Sequence, residues 1–347
     1  MLIDLWFGLI VVLWAGYVVL EGFDFGVGLL YPIMGRTETE KRVVYNTIGP
    51  VWDGNEVWLL VAGGATFAAF PEWYASLFSG YYLALALILV GLILRGSGIE
   101  LRSKAATQSG RAWCDRAFVV GSALPALLWG VALANFVRGV PIDGQHVVHA
   151  SLWSLLSPYA LLGGVTSVLL FATHGAHFLA LRTTDELRAR ALGIGKVVTP
   201  AAVVSALAFV GATWAQRANT VSVITSVVAA VGLLTALWGA REEREVLAFV
   251  GTSVTCVMVP VFIFASTWPY AIVGRGSGSV GLKLTTAASS HTTLVVMTVV
   301  AVVMTPVVLA YQAWTYWVFR QRVTLPPVSV TDPHPAIPGR RPATVSS

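Results

Sequence analysis

Nine stretches of the chain, near residues 4–32, 48–70, 76–99, 116–138, 156–180, 196–214, 220–239, 246–269 and 290–319, are apolar over about twenty residues each, long enough for a helix to cross the hydrocarbon of a bilayer. Backbone groups in hydrocarbon have only each other as hydrogen-bond partners. The pattern therefore predicts an all-α, polytopic membrane protein with nine transmembrane helices. Composition agrees: 11% of the residues are charged, against about 25% in soluble domains. A soluble enzyme and a nucleic-acid-binding domain are thereby excluded, although the sequence pI is near 9.4.

The basic charge has another origin. Of the 22 Lys and Arg residues, seventeen fall in or beside the loops 33–47, 100–115, 181–195, 240–245 and the segment after 320, all on one side of the predicted bundle. Only Arg138, Arg217, Arg275 and Lys283 fall on the other side, and Arg95 lies within the third span. The positive-inside rule then places the amino terminus outside and the carboxyl terminus in the cytoplasm. Met1-Leu-Ile-Asp4 lacks a basic n-region, so the first span is expected to be retained rather than cleaved as a signal peptide. Residues 1–322 read as one transmembrane domain. The Pro-, Ser- and Thr-rich stretch 323–347 has no apolar period and reads as a disordered cytoplasmic tail. The long outer segment 270–289, with Gly274-Arg-Gly-Ser-Gly278, is expected to be a flexible loop.

Acidic residues inside a membrane are costly and mark function by default. Four lie within apolar segments: Glu21 and Asp24 in the first span, Asp53 and Glu56 in the second. Alternating span direction brings all four into the cytoplasmic half, level with Arg95 in the third. The two acids of each pair are three apart, on nearly one helix face. Four carboxyls against one guanidinium leave excess negative charge, which suits a proton relay. The plainer alternative is that Arg95 pairs with one acid and fixes how three helices pack. His174 and His177, near the inner end of the fifth span, read as hydrogen-bonded packing residues; a metal or haem site needs further ligands that the sequence does not supply. Cys114 and Cys256 have no partner at redox or metal spacing. Trp and Tyr at span ends, including Trp314-Thr-Tyr-Trp317, read as interface anchors, and Gly22-x-x-x-Gly26 as a point of close helix approach.

Several of these stretches together resemble a known family. Glu21-Gly-Phe-Asp-Phe-Gly-Val-Gly28, Asn46-Thr-Ile-Gly-Pro-Val-Trp-Asp-Gly-Asn-Glu-Val-Trp58, Ala62-Gly-Gly-Ala-Thr-Phe-Ala-Ala-Phe70, Ser289-Ser-His-Thr-Thr-Leu-Val-Val-Met-Thr298 and Tyr311-Gln-Ala-Trp-Thr-Tyr-Trp317 are similar to subunit II of cytochrome bd-type quinol oxidases. The resemblance implies two four-helix bundles plus one helix, paired with a subunit I of similar fold. Subunit I would carry two b-type haems, the d-type haem and the quinol-oxidising loop. Subunit II would bind no haem, support the complex and supply acids to a proton path toward the oxygen-reducing site. Carried over residue by residue, the path acids are Glu21 and Asp53, with Asp24 in the same motif; Asn55, Glu56 and, from its depth in the third span, Arg95 read as supporting polar groups. Glu21 stands where some members have Asp, and Glu56 where some have Gln.

On this resemblance the chain is expected in a bacterial cytoplasmic membrane, in a respiratory terminal oxidase that couples quinol oxidation to reduction of oxygen to water and generates a proton gradient. Whether a quinone binds in this subunit, and whether small accessory subunits join it, is left open. A proton-coupled secondary transporter is the rival class, since it too keeps acids and an arginine near the midplane. Transporters show repeated halves, whereas these acids are confined to the first two spans. A purely structural membrane subunit with buried ion pairs is the third reading.

Overall fold

The computed structural model describes residues 1–324; the tail expected over 323–347 lies almost wholly outside the described residues. The described residues are helical nearly throughout, with α1 (Leu2–Met34), α2 (Glu38–Ile48), α3 (Trp52–Ala69), α4 (Pro71–Gly80), α5 (Tyr82–Arg102), α6 (Gln108–Arg138) and α7 (Leu152–Leu155) in the first half. There follow α8 (Pro158–Arg182), α9 (Asp185–Gln216), α10 (Thr220–Arg241), α11 (Glu245–Thr267), β1 (Tyr270–Ile272), β2 (Leu282–Lys283), α12 (Leu284–Ala287) and α13 (His291–Val318). Among the described residues eight helices, α1, α5, α6, α8, α9, α10, α11 and α13, are long and apolar enough to cross a membrane. The ninth expected span falls on α3, whose 18 residues reach about 27 Å but open on the polar Asp53, Asn55 and Glu56.

Helix ends follow local chemistry. Thr37 and Glu40 close a reciprocal capping box at the start of α2, and Ser157, Asn219 and Ser290 cap α8, α10 and α13. Pro50 and Pro71 shape the two boundaries of α3. The second span therefore begins at Trp52 instead of 48, and the third at Tyr82 instead of 76, because Pro71–Gly80 is a helix of its own.

The helices form two groups of four with one added helix. In the first, α1, α3, α5 and α6 pack together; in the second, α8, α9, α10 and α11 do so. Between the groups α1 crosses α8 at a point where a Cβ on Gly26 would collide with the Phe171 carbonyl and lie 2.7 Å from Gly175. This is the close approach that Gly22-x-x-x-Gly26 predicts. The helix α13 packs only lightly, against α1 and α3, and leaves Val299, Val302, Val303 and Val307 exposed.

At one end of the bundle the segment 270–289 is not a flexible loop. Tyr270–Ile272 pairs antiparallel with Leu282–Lys283. Val140 joins the same ribbon, donating to Val273 O and accepting from Arg275 N. Apolar side chains explain the order: Ile272, Val273, Leu282 and Leu284 are buried, so the segment has a core that a charge-and-glycine reading overlooks. At the opposite end, where the basic loops gather, Val323 N donates to Arg182 O and Arg322 pairs with Glu245, clasping the end of α13 to the second group.

Candidate functional site

In the half of the bundle nearer the basic loops, α1, α3, α5 and α13 turn polar side chains toward one another. Arg95, on α5, reaches both Glu21 of α1 and Glu56 of α3, its Nη2 lying 2.9 Å from Glu56 Oε2 and in direct contact with Glu21 Oε1. Arg95, Glu21 and Asp24 are completely buried, whereas the Glu56 side chain keeps 26% exposure. Glu56 is thus the member of the cluster open to the surface. The guanidinium carbon stands 4.9 Å from the Phe25 ring centre and 5.9 Å from that of Trp52, so aromatic faces replace part of the hydration that Arg95 gives up.

Asp24 takes a different partner. Its Oδ2 accepts from Asn55 Nδ2 at 2.8 Å, and Asn55 also donates to Leu20 O at 3.4 Å. On its other side Asn55 Oδ1 accepts from Tyr316 OH at 2.7 Å and from Gln312 Nε2 at 3.2 Å. Glu21 Oε2, Asp24 Oδ1, Arg95 Nε and Arg95 Nη1 are buried without a hydrogen-bond partner among the described residues. Three carboxyls face one guanidinium, and unused donors and acceptors remain beside them. Such an arrangement can bind and pass a proton, and it is an expensive one to keep for packing alone.

The structure brings together five of the six residues singled out from the sequence: Glu21, Asp24, Asn55, Glu56 and Arg95. Asp53 is not among them. It is exposed, on the face of α3 that also presents Val57, Leu60 and Val61, and has no hydrogen bond or ion pair among the described residues. Gly54 beside it faces α13, where an added Cβ would meet Gln312 Oε1 at 3.7 Å. Two residues that the sequence reading passed over belong to the site, Gln312 and Tyr316. Tyr316 was grouped with interface anchors; the available signal was that Gln312 and Tyr316 are four apart, one polar stripe on an otherwise apolar helix.

The basic end holds a second set of ionic contacts that loop charge counting does not reveal. Asp115 accepts from Tyr31 OH at 2.5 Å, Arg102 Nε at 2.6 Å and Lys41 Nζ at 3.1 Å. Nearby, Glu40 pairs with Arg190 at 2.9 Å, while Arg190 Nη1 donates to Met34 O, tying α2 to α9 and to the end of α1. Burial alone would raise the Glu40 carboxyl's pKa, but hydrogen bonds from Arg190 and from the Thr37 and Arg36 amides outweigh it and hold the group below the usual range.

His174 is buried with Nδ1 2.7 Å from Thr252 Oγ1 and Nε2 3.0 Å from Val19 O, so both ring nitrogens are engaged. His177 Nε2 lies 3.2 Å from Thr199 Oγ1; its Nδ1 is buried without a hydrogen-bond partner among the described residues and stands beside Gly195, where an added Cβ would lie 3.2 Å from it. Among the described residues no three His, Cys, Asp or Glu side chains come together as a metal would need. An apolar cavity of about 350 Å³ between the two groups of helices, lined by Trp14, Tyr17, Trp129, Phe209 and Phe262 among others, has no His, Cys or Met in its wall. His174 thus has no ring nitrogen free for an iron, and His177 has no second ligand beside it among the described residues.

Residues 2–319 match the family model described as cytochrome bd terminal oxidase subunit II. Cytochrome bd ubiquinol oxidase subunit 2 of Bacillus subtilis (strain 168) is 37% identical over 326 residues, covering 92% of this chain and 96% of the relative. Cytochrome bd-I ubiquinol oxidase subunit 2 of Escherichia coli (strain K12) is 34% identical over 362 residues, covering 92% and 94%. A chain in the solved structure of the bd oxidase from Geobacillus thermodenitrificans superposes with a TM-score of 0.73 at 16% identity, over 92% of this chain and 98% of that one, which shows a shared fold. A family match over nearly the whole described chain, with relatives this similar, settles the family: the chain belongs to the cytochrome bd terminal oxidase subunit II family.

Proposed function

We propose that this chain is the haem-free subunit of a quinol oxidase in a bacterial cytoplasmic membrane, pairs with a haem-bearing subunit I, and provides part of the path by which protons reach the oxygen-reducing site. Every electron delivered to oxygen on the way to water must be matched by a proton, and a proton crossing hydrocarbon needs titratable groups within reach of one another. The observation that carries the reading is the buried cluster in which Glu21, Asp24 and Glu56 surround Arg95. One guanidinium neutralises one carboxylate, and the remaining acids are free to trade a proton.

The seventeen basic residues of the loop side assign that end to the cytoplasm, with the amino terminus outside. Protons would then enter from the basic end. In this reading Glu56, partly exposed, exchanges them with the buried Glu21 and Asp24. Asp53, three residues earlier on α3 and on its exposed face, passes them between the cluster and the subunit I that covers that face. The family membership takes away the ground for a secondary transporter.

The test is the purified two-subunit complex with Glu21→Gln and Asp24→Asn made separately. Both are expected to retain the full haem content of the complex and to lose turnover and proton uptake together. Wild-type turnover and uptake in both variants would overturn the reading and leave the cluster as a structural ion pair.

A further inference from the structure

We infer that Tyr316 and Gln312, on the lightly packed last helix, are positioning residues for the proton path: they lock the Asn55 amide so that its NH2 faces Asp24, which leaves Oδ1 as the Asp24 oxygen that takes and gives the proton. This rests on the reading that Asp24 belongs to that path.

The argument is one of donors and acceptors. On one side of Asn55 stand Leu20 O and Asp24 Oδ2, at 3.4 and 2.8 Å from Nδ2. A backbone carbonyl can only accept, so the amide NH2 belongs on this side. The carbonyl Oδ1 then points the other way into a buried site, where an acceptor without a donor is costly. Tyr316 OH, at 2.7 Å, and Gln312 Nε2, at 3.2 Å, supply two donors there. Without them, turning the amide over would cost far less, and Asp24 would lose the N–H that steadies its Oδ2. With Oδ2 engaged, the unpartnered Oδ1 is the atom left to accept a proton from one neighbour and release it to the next.

The placement of the two donors adds a second argument. Almost all of α13 is apolar and outward-facing, and Gln312 and Tyr316 are four apart on the face it turns to α3. Around Asp24 the charged and titratable groups are Glu21 on its own helix, Glu56 on α3, Arg95 on α5 and Tyr316 on α13. On α8, Arg182 acts on Tyr316, and His174 packs against Phe23 of α1.

The experiment uses the intact complex carrying Tyr316→Phe, Gln312→Leu, Asp24→Asn, or Tyr316→Phe together with Asp24→Asn. Turnover and proton uptake are followed across pH, and the carboxyl stretching region is recorded by redox-induced infrared difference spectroscopy. Asp24→Asn is expected to remove one carboxyl band and slow proton uptake by about tenfold or more. Tyr316→Phe and Gln312→Leu should each move that same band and displace the pH profile of turnover by about half a unit. The combined variant should add nothing to Asp24→Asn alone. Gln312→Leu carries the test by itself if Tyr316→Phe fails to assemble. If Asp24→Asn behaves as expected while the α13 variants change only thermal stability, the inference is overturned and the proton-path reading stands. If Asp24→Asn turns over and takes up protons at the wild-type rate, the reading fails and the inference falls with it.

Discussion

Arg95 of α5 and Glu21 of α1 meet as an ion pair in which neither side chain has any solvent exposure. The same guanidinium holds the part-exposed Glu56 of α3, so a single cation connects the buried interior of the cluster with its surface. Three helices converge on that cation, and two consequences can be measured.

Removing Arg95 leaves Glu21 buried with no counter-charge. Arg95→Leu should destabilise the chain by about 3–5 kcal/mol, the range for breaking one partner out of a buried pair. Arg95→Leu combined with Glu21→Leu should be milder than Arg95→Leu alone, because one of the two completely buried acids, the one in contact with Arg95, no longer needs a counter-charge. Thermal unfolding of the purified complex checks this, and a double variant as unstable as the single one would show that packing around Arg95 outweighs its charge.

Asp53 separates function from stability. It is exposed and has no partner among the described residues, so Asp53→Asn should change stability by no more than about 0.5 kcal/mol. If it relays protons to subunit I, the same variant should lower oxygen consumption and proton uptake about tenfold or more with haem content intact, and Asp53→Glu should keep much of both. Normal uptake in Asp53→Asn would remove it from the path.

The docking of α2 should be acid-sensitive. The Glu40 carboxyl is held below its ordinary pKa by Arg190 and two backbone amides against the opposing effect of burial. A depressed native pKa contributes stability that is complete above the unfolded value of about 4.3 and fades as pH falls below it. Amide exchange in Glu38–Ile48 should therefore be steady between about pH 7 and 5 and quicken below about pH 4. In Glu40→Gln it should be faster at neutral pH and lose most of this dependence.

Glycines on the two faces of the first bundle should respond oppositely to alanine. At Gly26 an added Cβ would run into the Phe171 carbonyl, so Gly26→Ala should separate α1 from α8 at a cost of about 1–3 kcal/mol. At Gly54 the nearest atom stands at an ordinary 3.7 Å, and Gly54→Ala should be neutral or stabilise α3 by up to about 1 kcal/mol. Thermal unfolding midpoints of the two variants make the comparison.

The apolar runs, their alternating direction and the depth of each acid were legible in the sequence because they depend on quantities local to one helix: a rise of about 1.5 Å per residue against a hydrocarbon core of about 30 Å. Glu21, Asp24, Glu56 and Arg95 could be placed at one level on that basis. The rotation of each helix about its own axis was not local. Asp53 and Glu56 are three residues apart, which turns their side chains by about 60° from one another, and that is enough to put Glu56 on Arg95 and Asp53 on the outside. The rotation is set by contacts far away in the chain, among them Gly26 against Gly175 and Gly121 against the backbone of Arg95. Tyr316 reached Asn55 across 261 positions of sequence, a pairing that no periodicity could suggest. The ribbon over Tyr270–Lys283 likewise needed its partner at Val140 to become visible. Depth along the membrane normal was thus fixed by the order of residues in each span, whereas the partner each polar group takes at that depth was decided by how the helices pack, since a salt bridge or a hydrogen bond needs its two groups in direct contact.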